Sequence, residues 1–213
     1  MLEFPGGIYA ITPETADTGR LLAQVESALA GGVAALQYRD KSGDVARRHE
    51  QASELVALCR RFRVPLIVND DLRLADLTDA DGVHLGRDDG SLREARIILG
   101  KDKFIGASCY QSLDLAMDAQ KAGANYVAFG SFFPSPTKPA AARANLDLLH
   151  AAAPAIQVPI VAIGGITLAN APAVIEAGAD AVCAITMVVT QPDVGGEIEK
   201  FQGLFQRRKS QGK

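Results

Sequence analysis

The strongest constraint on this chain is an alternation that runs from end to end. Short apolar runs rich in β-branched residues cover Gly7–Thr12, Ala34–Arg39, Leu66–Asp70, Gly82–Gly86, Phe104–Cys109, Tyr126–Ser131, Ile160–Gly164 and Ala181–Thr186, and stretches of helical spacing separate them. Over Asp44–Phe62, residues Val45, Ala52, Leu55, Val56, Cys59 and Phe62 share one face, while Arg47, Arg48, Glu50 and Glu54 lie largely elsewhere. Strands joined by covering helices lie parallel, and near-continuous apolar strands fit burial on both faces. The count of runs predicts an α/β fold, a (β/α)8 TIM barrel. A doubly wound open sheet is the alternative, but no Gly-x-Gly-x-x-Gly follows the first run. With no linker or break in composition, residues 1–213 are expected to form a single compact barrel domain, with 206–213 as a frayed basic tail.

Charge and cysteine content narrow the function classes. A formal charge of −3 over 213 residues gives no global basic field, so nucleic acid is not expected as a partner. Any anion must be held by local cations and backbone dipoles. Cys59, Cys109 and Cys183 are widely spaced and odd in number, which favours reduced thiols and a cytoplasmic location over a disulfide or zinc framework. No apolar run approaches the length of a membrane span, and the N-terminus lacks the pattern of a signal peptide. The sequence leaves the oligomeric state open, a homo-oligomer included.

Four polar clusters close apolar runs or stand in the loops that follow them: Gln37-Tyr38-Arg39-Asp40-Lys41, Asn69-Asp70-Asp71, Gly86-Arg87-Asp88-Asp89 and Pro134-Ser135-Pro136-Thr137-Lys138. In a parallel barrel the C-terminal strand ends gather on one face, where active sites are built. Asp70 and Asp89 follow neighbouring strands and are expected to reach one Mg²⁺, which takes one or two protein carboxylates and completes its shell with water and phosphate oxygens. Asp71 and Asp88 are expected to serve structure, Asp71 as a helix cap. Gln37, Arg39 and Lys41 alternate and so point to one side; Arg39 offers a planar fork and Lys41 a point charge for phosphate.

Phe132–Ala144 is long for a βα loop and carries Pro134, Pro136 and Pro139, so it is expected to be a semi-rigid flap presenting Ser135, Thr137 and Lys138 to an anionic ligand. Ile163-Gly164-Gly165-Ile166-Thr167, with Ala184-Ile185-Thr186, suggests a second phosphate site after the seventh and eighth strands. Ser108 ends the fifth strand and offers a hydroxyl to substrate or backbone. Cys109 is expected to be a small buried apolar residue and His84 an ordinary strand residue. His49 and His150 sit on helical stretches, so neither a zinc site nor a Ser-His-Asp triad is supported.

Taken together, Gln37-Tyr38-Arg39-Asp40-Lys41, Val68-Asn69-Asp70-Asp71, Ala80 to Gly86 with Asp89, Gly106-Ala107-Ser108, Pro134 to Lys138, Ile163 to Ile166 and Ala179-Asp180-Ala181 resemble the thiamine-phosphate synthase family from about Gly7 to Phe205. The resemblance implies a transferase of thiamine biosynthesis that joins a hydroxymethylpyrimidine diphosphate to a thiazole phosphate with release of pyrophosphate. It implies that Gln37, Arg39, Lys41, Asn69, Ser108 and Lys138 hold the pyrimidine diphosphate, with Arg39, Lys41, Ser108 and Lys138 as the catalytic set. Asp70 and Asp89 would bind Mg²⁺, and Ser135, Thr137, Gly165, Ile185 and Thr186 the thiazole phosphate. The chain departs from the family where Cys109-Tyr110 stands in place of a frequent histidine, where Ser135 replaces Thr, and where Thr186 replaces Ser.

Two rivals remain. A thiazole phosphate tautomerase on the same barrel would need an acid/base residue and no carboxylate pair. A non-catalytic barrel that binds thiamine phosphates would have no use for the full set of carboxylates and cations.

Overall fold

The computed structural model describes residues 2–134, 143–184 and 193–211. The apolar runs become β1 (Gly7–Ile11), β2 (Ala35–Tyr38), β3 (Leu66–Asn69), β4 (Gly82–Leu85), β5 (Phe104–Tyr110), β6 (Tyr126–Gly130), β7 (Ile160–Ile163) and β8 (Ala181–Ala184). All pairs are parallel and each strand neighbours the next in sequence. β1 also pairs with β8, Gly7 opposite Ala181 and Ala10 opposite Ala184, which closes the barrel and excludes the open sheet.

The helices are α1 (Thr18–Ala30), α2 (Val45–Phe62), α3 (Leu72–Leu77), α4 (Leu92–Leu99), α5 (Leu113–Lys121), α6 (Leu146–Ala155), α7 (Ala171–Glu176) and α8 (Val194–Gln211). Most begin on a side-chain cap: the side chains of Asp17, Asp44, Asp71, Ser91, Ser112 and Asn145 accept from Arg20, Arg47, Leu74, Arg93, Leu115 and Leu148 backbone N–H groups. Each such cap contributes about 1 kcal/mol. Asp71 is thus the helix cap its position predicts. On α2, Ala52, Leu55, Val56, Leu58 and Cys59 are buried, but Val45 is 75% exposed. Its angular position is apolar by spacing, yet it stands in the first turn, at the barrel rim. The chain from Gln206, where the sequence predicts a frayed tail, continues α8 to Gln211. Buried Val194, Ile198, Phe201 and Phe205, spaced three or four apart, anchor that helix and let it propagate past the core. None of the described helices is long and apolar enough to cross a membrane.

Two apolar layers hold the fold. One lies between sheet and helices, with Leu21, Leu55, Leu66, Val83, Ile105, Phe129 and Ile198 among its residues. The other fills the barrel interior with Phe4, Tyr9, Ile11, Ile67, Tyr126, Val161 and Cys183. Phe4 precedes β1, stacks on Tyr126 at 4.0 Å between centroids, and meets Tyr9 and Phe104 edge to face, a packed interior rather than a pore.

Candidate active site

At the rim, the end of β3 is bent by a left-handed residue. Asp70 has φ +64°, a conformation that costs a non-glycine residue about 1 kcal/mol or more, and its N–H donates to the His84 carbonyl at 2.8 Å. In this position its carboxylate accepts from the Lys41 ammonium and meets the Asp89 carboxyl group in a hydrogen bond. Asp89 also accepts from the Gly86 N–H at 2.9 Å. A Cβ at Gly86 would stand 2.7 Å from that Asp89 oxygen, so the turn after β4 admits only glycine without movement.

The two carboxyls are shifted in opposite directions. Partial burial acts to raise Asp70, but hydrogen bonds from Lys41 and Asp89 and the charge of Lys41 outweigh it and hold Asp70 below the ordinary carboxylate range. Burial, then the hydrogen bond and charge of Asp70, raise Asp89 above that range. Of the two, Asp89 is the carboxyl that takes up a proton more readily, and the Lys41 ammonium offsets the charge of Asp70 where anionic oxygens converge. Two oxygen donors without histidine or cysteine suit a hard divalent cation. Among the described residues no group of three or more His, Cys, Asp and Glu could hold a metal, so the remaining ligands would be water and substrate.

The loop after β2 is built to carry the cations. Buried Asp40 accepts from the Ser42 N–H at 2.7 Å and from Arg47 at 3.4 Å, which hold its carboxyl below the ordinary range against the pull of burial. The Lys41 N–H donates to Glu14 at 3.0 Å, and the Arg39 N–H to the Thr12 hydroxyl at 3.0 Å. Lys41 is neutralised by Asp70, whereas the Arg39 guanidinium forms no ion pair among the described residues.

Inside the mouth lies a polar chain that sequence reasoning missed. Gln37 Nε2 donates to the Tyr9 hydroxyl at 2.8 Å, and the Tyr9 and Tyr126 hydroxyls lie 2.8 Å apart. Tyr126 meets His84 Nδ1 at 3.0 Å, and His84 Nε2 meets the Ser108 hydroxyl at 2.9 Å. Burial pushes the His84 pKa down to about 4, with the Asp70 charge opposing, so the imidazole is neutral at physiological pH. His84 is therefore part of the site rather than an ordinary strand residue. The available signal was a polar residue between Val83 and Leu85 in an otherwise apolar strand.

Cys109 is buried, as expected, and burial raises its thiol to about 12, which removes it as a nucleophile. Tyr110, φ +53°, accepts from the Arg87 N–H at 3.3 Å while the Arg87 guanidinium lies 5.3 Å from its ring. Tyr110 thus braces the β4 loop through Arg87.

The glycine pair after β7 receives protein backbone. The Phe132 and Phe133 N–H groups donate to the Ile163 and Gly164 carbonyls at 3.1 and 2.9 Å, and a Cβ at Gly165 would stand 2.3 Å from the Pro134 oxygen. The close approach that paired glycines permit is thus used by the start of the 132–144 loop. Asn69 ends β3 beside His84 in register. Ser135, Thr137, Lys138, Ile185 and Thr186 lie outside the described residues.

A family model described as thiamine monophosphate synthase matches residues 8–188. The chain belongs to the thiamine monophosphate synthase family. Within it, the chain is 70% identical over 205 residues to the thiamine-phosphate synthase of Thiobacillus denitrificans, covering 96% of this chain and 97% of the relative. It is 54% identical over 199 residues to that of Methylobacillus flagellatus, covering 93% and 95%. A solved thiamine phosphate pyrophosphorylase from Pyrococcus furiosus superposes with a TM-score of 0.83 at 33% identity, over 94% of this chain and 96% of that one. Membership accounts for a barrel mouth lined with cations and carboxylates: the family acts on small phosphorylated substrates.

Proposed function

We propose that this barrel mouth makes thiamine phosphate, as its relatives are named for doing, from an aminopyrimidine-methyl diphosphate and a thiazole phosphate. The observation that carries the reading is the contact of Asp70 with both Asp89 and Lys41, at strand ends adjoining Gln37 and Ser108. Asp70 and Asp89 would hold Mg²⁺, which supplies positive charge to the diphosphate oxygens.

Arg39, Lys41, Ser108 and Lys138 form the catalytic set around the leaving group. The carbon–oxygen bond breaks with its electron pair staying on diphosphate, and the cations and the Ser108 hydroxyl stabilise the growing charge. Gln37 and Asn69 hold the pyrimidine, whose amino group stabilises the methyl cation. Ser135, Thr137, Gly165, Ile185 and Thr186 hold the thiazole phosphate. The thiazole nitrogen then attacks with its own lone pair, forming the new carbon–nitrogen bond without a general base. Absence of any such demand agrees with a neutral, buried His84. Three buried free thiols support a reducing, cytoplasmic setting.

The test is pyrophosphate release from the two substrates with and without Mg²⁺. Release that requires both substrates and the metal is expected. Metal-independent conversion of the thiazole alone would replace this reading with the tautomerase.

A further inference from the structure

The polar chain in the barrel joins five side chains from five strands, and its hydrogen atoms are not free to arrange themselves in many ways. Gln37 Nε2 donates to Tyr9. The Tyr9 hydroxyl, buried and already accepting, places its proton on Tyr126, 2.8 Å away. The Tyr126 hydroxyl then finds its acceptor in His84 Nδ1 at 3.0 Å. A bare Nδ1 puts the imidazole proton on Nε2, which donates to the Ser108 oxygen at 2.9 Å. Reversing any one link strands a buried hydroxyl proton or opposes two donors, at a cost comparable to a lost hydrogen bond. The one other complete chain reverses every link at once and needs the Gln37 amide turned over, so Nε2 facing Tyr9 selects the direction. An imidazolium meets the same obstacle, because Tyr126 would accept from both sides and its own proton would have no partner.

We infer that this chain carries a single hydrogen-bond polarity, and that the polarity sets the two ends offered to substrate: an acceptor oxygen at Gln37 and a donor hydroxyl at Ser108. With Nε2 committed to Tyr9, Gln37 Oε1 has no protein donor among the described residues. It fits an N–H donor, the kind of group an exocyclic amine presents. Ser108, accepting from His84, keeps its own proton for an anionic oxygen. The ends thus match a ligand with an amine at one side and a phosphoryl oxygen at the other. Tyr9, Tyr126 and His84 are positioning residues: they act through Gln37 and Ser108. The part concerning substrate rests on the function proposed above, whereas the polarity itself is a property of the free protein.

Nitrogen-15 spectra of the labelled protein test the polarity directly. His49 and His150 lie exposed on helices and can both be replaced by glutamine, leaving His84 as the single imidazole. The expected spectrum shows a proton bonded to Nε2 and a bare Nδ1. A proton on Nδ1, or on both nitrogens at neutral pH, overturns the inference without any reference to turnover. In Tyr126→Phe the imidazole should lose that fixed tautomer. The KM for the pyrimidine diphosphate should also rise roughly tenfold, the value of about one neutral hydrogen bond, while the KM for the thiazole phosphate stays unchanged. Equal rises in both would reduce the chain to a structural element. A wild-type chain with the Nε2 proton but no turnover of either substrate would defeat the proposed function and leave the polarity standing.

Discussion

Gly106 leaves the space that the Tyr126 ring occupies: a Cβ on Gly106 would lie 2.0 Å from Tyr126 Cζ and 2.3 Å from its hydroxyl oxygen. The two residues are register partners on β5 and β6, so a glycine on one strand is the condition for a phenol on the next. That phenol stacks on Phe4 below and bonds Tyr9 and His84. A single missing side chain thereby lets a polar chain cross an apolar interior.

Gly106→Ala should therefore be costly for a one-carbon change. Overpacking a filled core costs about 1–3 kcal/mol, and here displacement of the ring also breaks buried hydrogen bonds. Chemical denaturation should show a lower midpoint with the slope preserved. A variant as stable as the parent, with tautomer and activity intact, would show that the ring has room to move.

Asp70→Asn should lower the Asp89 pKa, because the neighbouring negative charge and the carboxylate that hydrogen-bonds to it are removed, although burial still acts to raise it. A raised Asp89 pKa means that protons compete with a divalent cation for this carboxyl, so affinity for the metal should rise with pH until it has ionised. Calorimetric titration with Mg²⁺ and substrate at several pH values reads both effects. Affinity that is flat with pH in the parent, or unchanged in Asp70→Asn, would remove these carboxyls from the metal site.

Much of this was visible in the residues themselves. Buried parallel strands are apolar on both faces, so β1 to β8 stood out as runs, and closure followed from their number. Their ends were less sharp: Asp70 continues the β3 run in composition, but its left-handed backbone takes it out of the ladder. The pairing of Asp70 with Asp89 was readable because both sit at strand ends that one barrel face must gather. The interior chain was not readable. A tyrosine in β1 and another 117 positions later become partners only through barrel closure and register, and no local pattern encodes that. The glycines after β7 were readable as a place of close approach, but such a demand does not say how much of it serves backbone, as the Phe133 and Pro134 oxygens show at Gly165.

Loss of a cation assigned to the diphosphate should act on chemistry rather than on folding. Arg39→Ala and Lys138→Ala are each expected to lower turnover by about 10²–10³, the scale for one group that stabilises developing negative charge. Arg39 is half-buried and its guanidinium has no ion pair among the described residues, so its removal breaks no salt bridge there. Thermal midpoints should stay near the parent. Full Mg²⁺-dependent turnover in both variants would end their assignment to the diphosphate.

Acid should expose His84 through stability. Its folded pKa, about 4, lies below the ordinary 6.5, so the unfolded chain takes up the proton first. The stabilisation is complete above pH 6.5 and is lost as pH falls from there towards 4. The slope is about 1.4 kcal/mol per pH unit, and the total about 3 kcal/mol. Asp89 acts with opposite sign, because a raised carboxyl pKa stabilises the fold as pH falls. A comparison of the parent with His84→Gln cancels that contribution, since Asp89 is present in both. Urea midpoints measured across this window should fall faster in the parent, so that the gap separating it from the variant narrows with acidification. Parallel profiles would mean that the imidazole protonates in place, and a histidine that can do so is not held neutral between Tyr126 and Ser108.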